Sequence, residues 1–163
     1  VLRMLLDRGR AAFSRALAAA LSAALAYWLA HLLFGQPQPI FAAISALICL
    51  APGIPDHLRQ GANLLVGVTI GILVGELAFL IPYDLAPHLL GEVRLAVATF
   101  IAMMLASLFG LAPVVPIQAG ASAMLVLLLG PQNAGLARFL DVILGVVIGV
   151  IVAIVFFHGR RKD

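Results

Sequence analysis

The chain has 163 residues, 64% of them hydrophobic and 10% charged, with a formal net charge of +3. A soluble domain is typically about 45–50% apolar and about 25% charged, and a chain this small leaves too much surface exposed to hide the excess. The composition excludes a soluble globular domain, and basic residues gathered toward the two chain ends exclude a nucleic-acid binder and read as topology signals.

Residues 16–55 and 95–137 contain no Asp, Glu, Lys or Arg, and each run has room for two crossings at about 20 residues per helix. The chain reads as an all-α integral membrane protein, because the short alternating segments of a transmembrane barrel are missing. Residues 1–14 mix Leu2, Met4, Leu5 and Leu6 with Arg3, Asp7, Arg8 and Arg10, as an interfacial amphipathic lead-in would. The first span, from about Arg15 to Phe34, is rich in alanine and too long for a signal-peptide core. Tyr27, Trp28 and His31 fall late in it, where an aromatic belt is expected. Gly35-Gln36-Pro37-Gln38-Pro39 then breaks the helix. The second run, Ile40 to Ala51, is too short to cross a core about 30 Å thick without borrowed flanks. Pro52-Gly53-Ile54-Pro55 ends it, Asp56, His57 and Arg59 mark a polar loop, and the third span runs from Leu58 to about Ile81. The longest connection, Pro82 to Gly91, carries Asp84, Pro87 and His88. A fourth span from about Arg94 to Leu111 precedes a second short run, Pro116 to Leu129, with Gln118 and Ser122. Gly130-Pro131-Gln132-Asn133 breaks that run, and the sixth span extends from about Ala137 to His158.

In the third span Gly67, Gly71 and Gly75 recur every fourth residue, along one helical face. Such glycines cost stability in a soluble helix but let membrane helices approach closely. Both halves of the chain read long helix, short helix, long helix. A shift of 78 positions pairs Gly67 and Gly71 with Gly145 and Gly149, Asn63 with Asp141, and Gln60 with Arg138. Three spans per repeat is an odd number, so the second copy is expected to be inverted, the pattern of a transporter built from inverted repeats. With six crossings, Arg3, Arg8, Arg10, Arg15, Arg59, Arg160, Arg161 and Lys162 share one side, and Arg94 and Arg138 the other. That imbalance places both termini in the cytoplasm. The domains expected are a lead-in at 1–14, a six-helix membrane domain at 15–158 and a basic cytoplasmic tail at 159–163. A homo-oligomer, most simply a two-fold dimer, is expected from the small volume six short helices enclose. No zinc spacing, phosphate loop or Ser/His/Asp arrangement is visible, so the expectation is neither an enzyme nor a metal or cofactor carrier. The single cysteine, Cys49, has no intrachain disulfide partner.

The segment from Arg15 through Gly75 resembles the membrane domain of the fusaric acid resistance and aromatic acid exporter superfamily. The likeness is carried by Arg15, the Ala26-Tyr27-Trp28-Leu29 end of the first helix, the run Phe41-Ala42-Ala43-Ile44-Ser45-Ala46-Leu47-Ile48, then Pro52, Arg59 and the Gly67/Gly71/Gly75 helix. The resemblance implies a bacterial inner-membrane exporter of aromatic carboxylic acids or similar organic anions, related to plant malate-type anion channels. Members resembling this chain carry a cytoplasmic domain after six helices. Here five residues follow His158, which reads as either a minimal form or a piece of a longer protein.

An anion crossing the bilayer needs positive charge or helix N-termini along its path. Arg138 and Arg59 lie near the N-terminal ends of the sixth and third spans, and each is placed to receive a carboxylate. The bland alternatives are a topology charge for Arg59 and a local pair with Asp141 for Arg138. Gln118, Ser122 and Asn63 are neutral hydrogen-bonders for the same path, or simply join helices. Glu76 and Asp141 are the deepest acids and suit proton coupling, with His31 a third candidate. Gly67, Gly71, Gly75, Gly145 and Gly149 are assigned to helix packing. Rival readings are a passive anion channel and a non-transporting membrane scaffold.

Overall fold

A computed structural model describes residues 1–36, 38–50, 56–82 and 89–157. The expected break at 52–55, the connection around Asp84, Pro87 and His88, and His158 with the basic tail lie outside them, as does Pro37. Every regular element among the described residues is a helix: α1 (Leu2–Phe34), α2 (Ile40–Cys49), α3 (His57–Phe79), α4 (Leu89–Leu108), α5 (Val114–Leu129), a single turn α6 (Pro131–Ala134) and α7 (Leu136–Phe157).

Among the described residues four stretches are long and apolar enough to cross a membrane: Leu2–Phe34, His57–Phe79, Gly91–Leu108 and Pro131–Phe157. The helices α2 and α5 are apolar but shorter. At 1.5 Å per residue α2 reaches only about 15 Å, half of a hydrocarbon core. The residues of the expected lead-in are continuous with the first span, because nothing from Leu2 to Phe34 interrupts helical hydrogen bonding. That helix ends at Gly35, whose φ of +61° gives a left-handed cap, its N–H bonded to the His31 carbonyl. The fourth helix begins at Leu89, earlier than its first arginine suggested. The fifth begins at Val114, with Pro116 in its first turn, where a missing N–H costs no intrahelical bond. The break at Gly130–Asn133 holds the extra turn α6.

The chain divides into two compact units. The first unit, Val1–Gly61 with Asp141–Asp163, contains α1, α2, the opening turn of α3 and most of α7. Its core is made of small side chains. Ser22, Ala26 and Ala30 repeat every fourth residue on α1, and Ala26 and Ala30 cluster with Ala42 and Ala46 of α2 and Ile148 of α7. Gly145 of α7 sits on the backbone of Ala42 and the Ser45 side chain, and Gly149 sits on Cys49 and the Ala46 carbonyl. His57 closes one end of this unit. Its Nδ1–H donates to the Cys49 carbonyl at 2.6 Å, and its ring stacks on Phe157 with centroids 5.7 Å apart.

The second unit, Ala62–Leu140, contains the rest of α3, with α4, α5, α6 and the first turn of α7. It repeats the same internal design. Ala98, Ala102 and Ala106 on α4 are fully or nearly buried, and the last two cluster with Val115, Ala119 and Ala123 of α5. Gly67 of α3 lies against the Val115 carbonyl and Gln118, Gly71 against the Ala119 carbonyl and Ser122, and Gly75 against Ala123 and Val126. In each unit a glycine-bearing long helix therefore rests on the backbone of a short one. Alanine and glycine dominate because lipid is as apolar as a leucine, so packing contact rather than burial holds membrane helices together.

Candidate functional site

The second unit carries a polar cluster inside its small-residue core. Arg138, in the first turn of α7, is 4% exposed. Its Nε–H donates to Ser122 Oγ at 3.0 Å, and its Nη2 donates to Gln118 Oε1 at 3.2 Å. Gln118 and Ser122 are four residues apart, so they stack on one face of α5. That face is the one under Gly67 and Gly71: a Cβ on Gly67 would meet the Cβ of Gln118, and one on Gly71 would meet that of Ser122. The glycines let α3 lie flat over the two residues that hold the guanidinium.

Arginine stays charged at any accessible pH, and Ser122 and Gln118 are neutral groups that orient it. A charged residue buried within a membrane domain is costly and is kept where it has polar partners. Asp141, one turn further along the same helix, is 1% exposed. The sequence placed Arg138 at the N-terminal end of the last span, and the structure keeps it in the first turn of α7, buried and with partners on α5. Two of the residues assigned to an anion path, Gln118 and Ser122, do converge on it.

The remaining candidates lie elsewhere. Arg59 is exposed in the first turn of α3, where its backbone N–H is capped by Asp56 Oδ1 at 3.1 Å. Asn63 is 7% exposed on α3, one turn before Gly67. His31 is exposed and donates through Nδ1 to the Gln36 carbonyl at 2.6 Å, tying down the end of α1. Glu76 is half-buried and lines a cavity of about 210 Å³ with Thr69, Ile72 and Phe139. A side chain on Gly135 would come within 2.9 Å of Glu76 Oε1, so glycine there leaves the carboxylate its space. Phe139 and Gly135 escaped the sequence reading, although both flank the α6–α7 junction that Gly130 and Pro131 announce. Among the described residues no three His, Cys, Asp or Glu side chains gather as a metal site.

The sequence model of the fusaric acid resistance protein-like family matches residues 21–152 of this chain. Proteins named "Putative arylamide transporter" from Mycobacterium bovis and Mycobacterium tuberculosis are 30% identical to it over 144 residues. Those alignments cover 83% of this chain but 38% of the relatives. An uncharacterised protein of Corynebacterium glutamicum is 28% identical over 135 residues, 82% of this chain and 33% of that protein. The chain thus spans well under half the length of these relatives. No solved structure matches it.

Proposed function

The chain belongs to the fusaric acid resistance protein-like family, and from that premise we propose that it forms the membrane-embedded part of an exporter of organic anions in a bacterial cytoplasmic membrane. The favoured substrates are aromatic carboxylic acids or similar amphipathic acids. The name of the mycobacterial relatives, arylamide transporter, supports an aromatic substrate. The observation that carries the reading is the buried Arg138 held by Gln118 and Ser122. A cation kept in an apolar interior at this cost marks a functional site by default. Arg138 receives the carboxylate, Gln118 and Ser122 fix its planar fork, and Asp141 takes up the proton exchanged against the substrate. Glu76, in its cavity beside Gly135, is the second candidate for proton uptake. Arg59, exposed in the first turn of α3, serves as a point of attraction at the cytoplasmic face.

The test is flux in proteoliposomes across a panel of aromatic and aliphatic acids, with and without a pH gradient. Uptake of aromatic acids that a pH gradient accelerates is the expected result. Current that follows the anion gradient alone would make the protein a channel, and neither flux nor ligand-dependent stabilisation would make it a scaffold.

A further inference from the structure

Glu76, one turn before the end of α3, lines the cavity of about 210 Å³ that Thr69, Ile72, Gly135, Leu136 and Phe139 help to close. Its carboxylate takes part in no hydrogen bond or ion pair among the described residues. Arg138, beside Phe139 in the chain, directs Nε and Nη2 to Ser122 and Gln118 and is not part of the cavity wall. The other polar lining group, Thr69, donates its hydroxyl proton to the Leu65 carbonyl at 2.7 Å, so it has only lone pairs left to offer. The side chains around the cavity are therefore acceptors or apolar. We propose that this cavity binds a primary ammonium group carried on a small apolar body, the ammonium paired with Glu76 and the body against Phe139.

Packing alone does not call for these oxygens. Under the 78-position shift that pairs the glycine seams, Thr69 and Glu76 correspond to Val147 and Ile154, both apolar and exposed. Gly135 corresponds to His57, whose ring stacks on Phe157 and bonds to the Cys49 carbonyl. The first unit thus builds the matching helix ends from apolar side chains and a ring. The second puts an acid there, with a glycine whose missing side chain leaves the acid room. The volume lies below the range of about 300–1,000 Å³ for drug-sized ligands, which limits the guest to one ring or a short chain. An ammonium has three donors and no acceptor, the complement of a wall that offers only acceptors. A hard metal ion takes about six oxygens or more, and Glu76 with Thr69 falls well short. Phe139 adds an aromatic face, which attracts ammonium ions. The cavity lies between the end of α3 and the start of α7, so a guest reaches it from the headgroup edge. Two sources of the group exist there, a soluble amine and the headgroup of phosphatidylethanolamine. Ammonium and proton compete for the one carboxylate.

The experiment measures equilibrium binding of radiolabelled benzylamine to the full chain in phosphatidylcholine vesicles, with benzyl alcohol and benzoate as competitors of similar size. Benzylamine should bind saturably. The alcohol and the acid should compete at least about tenfold less well than unlabelled benzylamine, since neither pairs with a buried carboxylate. Glu76→Gln should weaken benzylamine binding by the same factor. Phe139→Leu, which removes the ring but keeps an apolar wall, should weaken it about two- to fivefold. Equal competition by benzyl alcohol would reduce the site to an apolar void, and equal competition by benzoate would place it on the anion path. Either result overturns the proposal, as does benzylamine binding that Glu76→Gln leaves unchanged. If Glu76→Gln fails to fold, the three ligands on the unaltered chain carry the same decision. Replacing part of the phosphatidylcholine by phosphatidylethanolamine separates the two sources. Weaker benzylamine binding then assigns the site to the lipid's own ammonium, and unchanged binding assigns it to soluble amines; both support an ammonium site. The outcome is independent of the anion reading, which rests on Arg138.

Discussion

Arg138 and Asp141 are one turn apart on α7, both almost fully buried, and their substitutions are expected to part company. Arg138→Gln removes the charge and should weaken anion binding at least about tenfold, about 1.4 kcal/mol, measured by equilibrium binding to the reconstituted protein. Arg138→Lys should recover little, because a point charge on a flexible stem cannot reproduce a fork held at both Nε and Nη2. Asp141→Asn should retain anion affinity while making flux insensitive to a pH gradient. If both substitutions leave affinity and pH dependence unchanged, the pair is a structural cap. Ser122→Ala removes one interhelical hydrogen bond, worth about 0.6 kcal/mol on average in a membrane and at most about 1.7, so it should lower melting temperature slightly while weakening affinity more. The sequence made Arg138, Gln118 and Ser122 separate candidates, and the four-residue spacing already put the last two on one face. That the arginine reaches that face depends on the seating of the first turn of α7 on α5, 16 positions on in the chain, which no local pattern encodes.

At the scale of elements, the glycine period was legible because packing in lipid selects small residues at a fixed spacing. What it did not say was which helix receives them. The structure gives Gly67, Gly71 and Gly75 to α5, and Gly145 and Gly149 to α2. These faces are consumed within the units, so they do not supply a contact between subunits. The breaks at Gly35 and Gly130 were legible from Gly and Pro, but the continuity of α1 through Arg15 was not, since a helix crosses a change in polarity without interruption. Two glycines with opposite surroundings test this account. Gly71→Leu drives a side chain into the Ala119 carbonyl and Ser122, and the protein should lose its folded elution profile in mild detergent. Gly9→Ala, in α1 with nothing within 4 Å of the new methyl, should be neutral or stabilising by up to about 1 kcal/mol.

At the scale of the whole molecule, the proposed arrangement is six crossings with the second three-helix copy inverted, and both termini in the cytoplasm. Its support is the arginine imbalance and the matching seams inside the two units. Gly67 and Gly145, 78 positions apart, rest on Val115 and Ala42, 73 positions apart, and Gly71 and Gly149 rest on Ala119 and Ala46 with that same spacing. In a Cys49→Ala background, a cysteine at Gln36 should react with an impermeant reagent from outside and one at Asp56 from inside; reversed labelling would sink the orientation. A homo-oligomer, most simply a two-fold dimer, is the proposed assembly, and a monomer alone in native mass spectrometry from mild detergent would count against it. The division into units has a consequence for biogenesis. The helix that completes the first unit is α7, made after α1 to α6, while α3, though made before α5, finds its glycine seat only once α5 exists. Neither the first three helices nor the last three amount to a finished body. During synthesis α1 and α2 must wait in the translocon or the bilayer with their alanine faces uncovered until α7 follows, and insertion factors that shelter such faces have a long hold on this pair.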